Sequence, residues 1–386
     1  MQNPEIEKIT RLYEADRASG RKAVQAEDIP ITYESITPEW LTAVLCKDHP
    51  GARVTAYRLG PADDGTSGRR RIHIEYNDAG RGAGLPASVF AKSSQALIHR
   101  ISYKLNGSTY AETNFYNHVR PLLEIESPRS RHARSDAETC NSIVLLDDLE
   151  GYASFCDEHT VITRDDALGM AMTLADLHGP LANPAVFARI RPHFATWTTR
   201  WAGLVQNNHM KEYTNKGFLA AEAVIPKRLF ARFEEIWPRT MDSVRQHESL
   251  PHTFSHGDTH LANWYRTTDG RMGIGDWQGA WLGHWSRDFI YAISTALTVE
   301  NRRAWERDLL SAYLERSREH GLPRISVDQA LTWCRQQSLS SLAYWTVTYT
   351  PSPGMPEDMQ PKDRTLVFIG RLAHAVDDLE GLDSFG

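Results

Sequence analysis

The stretch TFSHGDTHLANWYRTTDGRMGIGDWQGAWLGHWSRDF, residues 253–289, carries the densest chemistry in the chain. Its skeleton is His256-Gly257-Asp258, then Asn263 five positions after the aspartate, a turn at Asp269-Gly270, the apolar step Met272–Ile274, and Asp276. A turn between two short apolar runs predicts a hairpin, and such a hairpin brings two carboxylates and one amide oxygen to one place. Few hard oxygen donors of this kind suit Mg²⁺, which keeps water and phosphate among its ligands. A carboxylate beside the ion can accept the proton of an attacking hydroxyl. Together these are the parts of a phosphoryl-transfer site: a base, an amide ligand and an acid ligand.

Around that stretch the chain reads as an ordinary globular protein of 386 residues, with 41% hydrophobic and 24% charged residues. The length suits two to three domains or one two-lobed unit. There are 43 basic and 49 acidic residues, a formal charge of −6. That balance argues against a nucleic-acid partner, whose polyanionic backbone asks for a basic surface. No apolar run approaches a membrane-spanning length, so no membrane partner is expected. The polar N-terminus does not fit a secretory signal. The four cysteines, Cys46, Cys140, Cys156 and Cys334, form no CxxC pair. Buried free thiols in a reducing cytoplasm are the expectation.

Residues 1–50 read as a peripheral helical extension, with a helix start at Thr37-Pro38 and apolar spacing over Trp40, Leu41, Val44 and Leu45. Between 51 and 147, apolar alternation predicts a hairpin around the Gly60–Gly68 loop, a third strand ASVFAK ending near Lys92, and a strand NSIVLLDDLEG. Residues Tyr110–Leu123 carry a helical apolar stripe that Pro121 ends early. Beyond 148 the pattern is mainly helical, beginning with a capping box at Thr163 and Asp166 and a stop at Gly179. The expected fold is therefore α+β, with a small strand-rich N-terminal lobe joined near 147–151 to a larger helical C-terminal lobe that runs to 386.

His256-Gly257-Asp258-x4-Asn263 followed by Gly275-Asp276-Trp277-Gln278 resembles the catalytic and metal-binding loops of the aminoglycoside phosphotransferase family. The downstream GHWSRDFIYAISTAL is more similar to its ecdysteroid-kinase-like (choline/ecdysteroid kinase-type) branch. The resemblance implies a bilobal protein-kinase-like fold with a small antiparallel-sheet N-lobe. It implies an ATP- and Mg²⁺-dependent phosphotransferase acting on a small-molecule alcohol. It makes Asp258 the base and Asn263 and Asp276 the metal ligands. It makes Lys92, paired with Glu112, the anchor of the nucleotide phosphates, with Lys104 the competing lysine. The Gly60–Gly68 loop, with Thr66 and Ser67 at its tip, would lie over the phosphates. Asp148 and Leu149 would fall at the lobe connection, where main chain meets the purine. His256, His260 and Asp288 are expected to support the loop, His256 through backbone hydrogen bonds and Asp288 as a cap or brace, with substrate contact open to His260.

Two other readings stand beside this one. A metal-dependent hydrolase would use His256, Asp258, His260 and Asp276 as ligands, but it leaves Lys92, Glu112 and Asn263 unexplained. A non-catalytic kinase-like nucleotide-binding module would ordinarily lack the base or a ligand. The aromatic residues Trp197, Trp201, Trp281, Trp285, Tyr344, Trp345 and Tyr349 read mainly as core. Any that line the site favour an apolar alcohol over a polycation, whereas the acidic C-terminal HAVDDLEGLDSFG could attract an amine.

Overall fold

The computed structural model describes residues 4–353, 355 and 360–385. Two compact units emerge. One contains residues 1–121 and 128–150, the other 122–127 and 151–386.

The first unit is built on an antiparallel sheet. Strands β1 (Val54–Leu59), β2 (Asp63–Asp64), β3 (Gly68–Tyr76), β4 (Ser88–Ser93), β5 (Ser130–Ser135) and β6 (Ser142–Asp147) assemble in the order β1-β3-β4-β6-β5, with β2 paired to β3. Alternation along the strands sends Ile72, Ile74, Val89, Ala91, Ile143 and Leu145 into one core. The helix Pro38–Leu45 is capped by Thr37, whose side chain accepts from Trp40 N. It brings Trp40, Leu41, Val44 and Leu45 into the same core. The expected peripheral extension thus contributes core: the apolar face of so short a helix is stable only when buried against a sheet.

Strand parity puts Lys92 on the face opposite Val89 and Ala91. The interval between 93 and 109 contains a helix, Leu97–Leu105, that the sequence reading left unassigned. The expected helix over 110–123 forms as one continuous helical run, Ala111–Leu122, whose hydrogen-bond register changes along its length. It is α-helical over Ala111–Asn114, π-helical over Phe115–Val119 and 3₁₀ over Arg120–Leu122, so Pro121 falls in its last tight turn.

The second unit is mainly helical. Its capping box at Thr163 and Asp166 opens the helix Arg164–Leu181, which runs two residues past Gly179. A three-stranded sheet joins β7 (Ala153–Phe155), β9 (Trp264–Thr267) and β10 (Met272–Ile274), and β8 (Thr253–Ser255) pairs with β11 (Trp281–Gly283). The acidic C-terminus is held by arginines. Asp377 pairs with Arg228, Asp378 with Arg302 and Arg303, and Asp383 with Arg232. Among the described residues no helix is long and apolar enough to cross a membrane. All four cysteines are buried and free.

Candidate active site

The expected hairpin forms between β9 and β10, with Met272 opposite Arg266 and Ile274 opposite Trp264. Gly270 takes φ +86° at the turn. Immediately beyond the paired strands, Gly275 N donates to Asn263 O at 2.9 Å. This bond holds the two ends of the hairpin together and brings Asp276 to the residue that follows Asp258 by five. Asp276 itself adopts φ +60°, ψ +74°. That left-handed conformation is uncommon outside glycine, and such outliers concentrate at functional sites.

The His256-Gly257-Asp258 turn is fixed by close approach and by a buried acid. Gly257 has φ +80°, and a Cβ there would stand 2.3 Å from Gly279 O, so neither the dihedral nor the space admits another residue. Asp288, near the start of the helix Trp285–Ala296, accepts from His256 N at 2.6 Å and Gly257 N at 2.9 Å. Burial works against the Asp288 charge, but the His178 ring 3.2 Å away and the surrounding donors hold its carboxyl below the ordinary range. The His256 ring is spent on the loop as well. Its Nε2 lies 2.9 Å from Gly275 O, and its Nδ1 accepts from Asp258 N at 3.2 Å. An Nδ1 acceptor requires Nε2 to be the protonated donor, so this ring offers no lone pair to a metal.

The Asp258 side chain is 37% exposed. Its Oδ1 accepts from the Tyr291 hydroxyl at 3.0 Å, and its Oδ2 lies 3.6 Å from His260 Nε2. Burial pushes the carboxyl up, but the charge and hydrogen bonding of His260, with His256 and Tyr291 behind, outweigh it and hold the group well below its usual value. It is therefore an ionised acceptor. Asn263 donates from Nδ2 to Asp258 O at 2.7 Å, which ties the amide to the loop by its nitrogen end. His260 is buried edge-on against Trp345 and beside Phe368.

No local motif in the sequence singles out Tyr291, Arg287 and Arg200. The Tyr291 hydroxyl also accepts from Trp345 Nε1 at 2.7 Å. Burial, with the Asp258 charge beside it, raises Tyr291 well above the ordinary tyrosine value. Arg287 donates from Nη1 to Gly257 O at 2.7 Å, and Arg200 donates from Nη1 to Gln278 O at 3.1 Å. Tyr291 and Arg287 sit one helical turn apart on Trp285–Ala296, the only signal that could have suggested them.

In the first unit, Lys92 Nζ lies 2.6 Å from Glu112 Oε1, and both residues are buried. Lys104 pairs instead with Glu5 at 3.0 Å on the surface. Thr66 is half-buried and Ser67 buried in the turn before β3. The neighbouring arginines are all paired: Arg69 with Asp63, Arg70 with Glu34, and Arg71 with both Asp148 and Glu150. The Asp148 side chain also accepts from Ser88 Oγ at 2.6 Å, so its carboxylate is engaged inside this unit, and Leu149 follows it half-buried.

Among the described residues no group of three or more His, Cys, Asp or Glu side chains is disposed to hold a metal ion. Asn263 and Asp276 offer one amide and one carboxylate at the two ends of the hairpin that the Gly275 N–Asn263 O bond closes. That fits an ion satisfied mainly by phosphate and water, and does not fit zinc, which takes three or four protein ligands.

Solved structures aligned with the chain include the GDP complex of a wild-type aminoglycoside 2′-phosphotransferase at 11% identity, covering 89% of this chain and 98% of that one with a TM-score of 0.46. The choline kinase LicA from Streptococcus pneumoniae aligns at 11% identity over 84% and 94%, TM-score 0.47. A microcompartment-associated aminopropanol kinase aligns at 13% over 88% and 95%, TM-score 0.49. No curated protein matches the chain. The family model described as the phosphotransferase enzyme family (APH) matches residues 98–324, more than half of the sequence, and the protein therefore belongs to that family.

Proposed function

We propose that the protein transfers the γ-phosphoryl group of ATP to a hydroxyl of a small-molecule alcohol, with Asp258 as the base. The observation that carries this reading is the setting of Asp258. An ionised, partly exposed carboxylate is aimed by Tyr291 and His260 on a loop that Asp288 braces. In the step, Asp258 accepts the proton of the acceptor hydroxyl, the new O–P bond forms, and the bond from the γ-phosphorus to the β–γ bridging oxygen breaks, leaving ADP. Asn263 and Asp276 are the residues that would hold Mg²⁺. When bound, that ion supplies positive charge against the phosphate oxygens. The Lys92–Glu112 pair is the phosphate anchor of the proposal, since an ammonium oriented by a carboxylate makes charge-assisted hydrogen bonds to phosphate oxygens. Thr66, Ser67 and the main chain of Asp148 and Leu149 are its remaining nucleotide contacts.

The hydrolase alternative loses support from His256, whose two ring nitrogens are committed to Gly275 O and Asp258 N. The decisive experiment measures ADP release over a panel of alcohols with Mg²⁺ or Zn²⁺, for the wild type and Asp258→Asn. Mg²⁺-dependent release that falls about 10²–10⁴-fold in the variant is expected. Retention of more than about a tenth of turnover refutes the base assignment, and activation by Zn²⁺ alone would favour the hydrolase.

A further inference from the structure

Two arginines stand beside the Asp258 loop without a carboxylate partner. Among the described residues, neither Arg200 nor Arg287 has a carboxylate oxygen within 4.0 Å, although most arginines of this chain are ion-paired. Arg287 is fully buried. Its guanidinium is stacked among four rings, 4.5 Å from the Trp197 centroid, 4.9 Å from Trp281, 5.2 Å from Tyr291 and 5.0 Å from Tyr344. Its Nη2 has no hydrogen-bond partner. Arg200 packs over the other side of the same Trp281 ring at 5.4 Å. It is partly exposed, while its Nε is buried and unpartnered.

Burying a guanidinium without an anion is costly, and cation–π contacts return only part of that cost. Burial accordingly pulls Arg200 below its ordinary value, against the opposing pull of Tyr344 and Asp258. The pair is tied to both loops of the site. Arg287 holds the carbonyl preceding Asp258, and Arg200 holds the carbonyl two residues after Asp276. Two guanidiniums thus stand beside the loops that carry Asp258 and Asp276, and of the two only Arg200 is partly exposed. A cationic substrate group would meet like charge at Arg200, whereas a carboxylate would meet charge-assisted donors.

We infer that the acceptor is an anionic alcohol, a hydroxy-carboxylate or similar acid, whose acidic group is received by Arg200 with Arg287 behind it. This deepens the phosphotransferase reading and rests on it for the role of the hydroxyl, but not for the charge preference.

The test uses three benzylic alcohols that differ in one substituent: 4-(hydroxymethyl)benzoate, 4-methylbenzyl alcohol and 4-(aminomethyl)benzyl alcohol. Binding to the full chain is titrated with Mg²⁺ and a non-hydrolysable ATP analogue present, and ADP release is measured separately with ATP. The carboxylate should bind at least about tenfold more tightly than the neutral alcohol, and the amine most weakly. Added salt should shrink that preference. Arg200→Gln should abolish the preference, and Arg200→Lys should keep part of it. Equal or weaker binding of the carboxylate, or a preference that survives Arg200→Gln, overturns the inference. A carboxylate preference without ADP release from any alcohol would leave the anion site standing and sink the phosphotransferase reading. ADP release from the amine with no carboxylate preference would do the reverse.

Discussion

The Tyr291 hydroxyl donates to Asp258 Oδ1 at 3.0 Å while accepting from Trp345 Nε1 at 2.7 Å. One buried phenol therefore links the candidate base to the helix Val327–Tyr349 and restricts the carboxylate to one orientation. Tyr291→Phe keeps the ring and removes the link. It should lower kcat about tenfold or more through misorientation of Asp258, with little change in nucleotide affinity. Leaving Trp345 Nε1 unsatisfied should also cost about 1–3 kcal/mol of stability. Steady-state kinetics with a denaturant titration checks both, and unchanged kcat would show that Asp258 is held without Tyr291.

Asp288→Asn replaces a charged acceptor of two loop N–H groups by a neutral one in a fully buried position. The lost charge-assisted bonds should destabilise the protein by about 3 kcal/mol. Because His256 and Gly257 would then be free to move, kcat should fall more than nucleotide affinity. Equal loss of both would mean general unfolding rather than release of the loop.

Lys92→Met and Glu112→Gln should be non-additive, since their charged atoms are 2.6 Å apart in a buried setting. A double-mutant cycle on kcat/KM for ATP should give a coupling of about 1–3 kcal/mol. Strict additivity would show that the ion pair does not contribute to nucleotide use.

Stability should decline below pH 6.5 through buried histidines. His247 Nε2 accepts from His284 N at 2.8 Å, and Nδ1 meets Gln337 Oε1 at 2.8 Å, which defines a neutral ring. Burial pulls its pKa down to about 3, and burial likewise draws His132 to about 4. A histidine whose folded pKa lies below its unfolded value contributes in full above about 6.5. It loses that contribution as the pH falls towards the folded value, because only the unfolded chain takes up the proton. For His247 the loss between pH 7 and pH 5 is about 2 kcal/mol. Denaturant unfolding at several pH values should show His247→Gln with a shallower slope over this range than the wild type. An identical slope would exclude His247 as a contributor.

Local order along the chain made much of this protein readable. The Asp269-Gly270 turn between short apolar runs specified the hairpin, because turn chemistry and period-two alternation act within a few residues. The Thr163–Asp166 capping box specified a helix start for the same reason, while its end, two residues beyond Gly179, did not follow, since packing can carry a helix past a glycine. The strand leading to Lys92 was visible from its alternation. Its partner Glu112 came from the family resemblance and not from local pattern, because a helix at Leu97–Leu105 fills the interval and takes Lys104 away to Glu5.

Asp258, Asn263 and Asp276 stood out because their spacing lies within one hairpin. The surroundings of Asp258 did not, because they are assembled from side chains distant in sequence: Arg200, Arg287, Tyr291, Tyr344 and Trp345 meet only when three helices pack. No periodicity distinguishes an arginine that will be buried among rings from one on a solvated face, since both satisfy the same helical pattern. Backbone preference and turn chemistry are properties of neighbouring residues and can be read in order, whereas desolvation, orientation of the base and an uncompensated charge arise only from what the folded chain brings within a few ångströms.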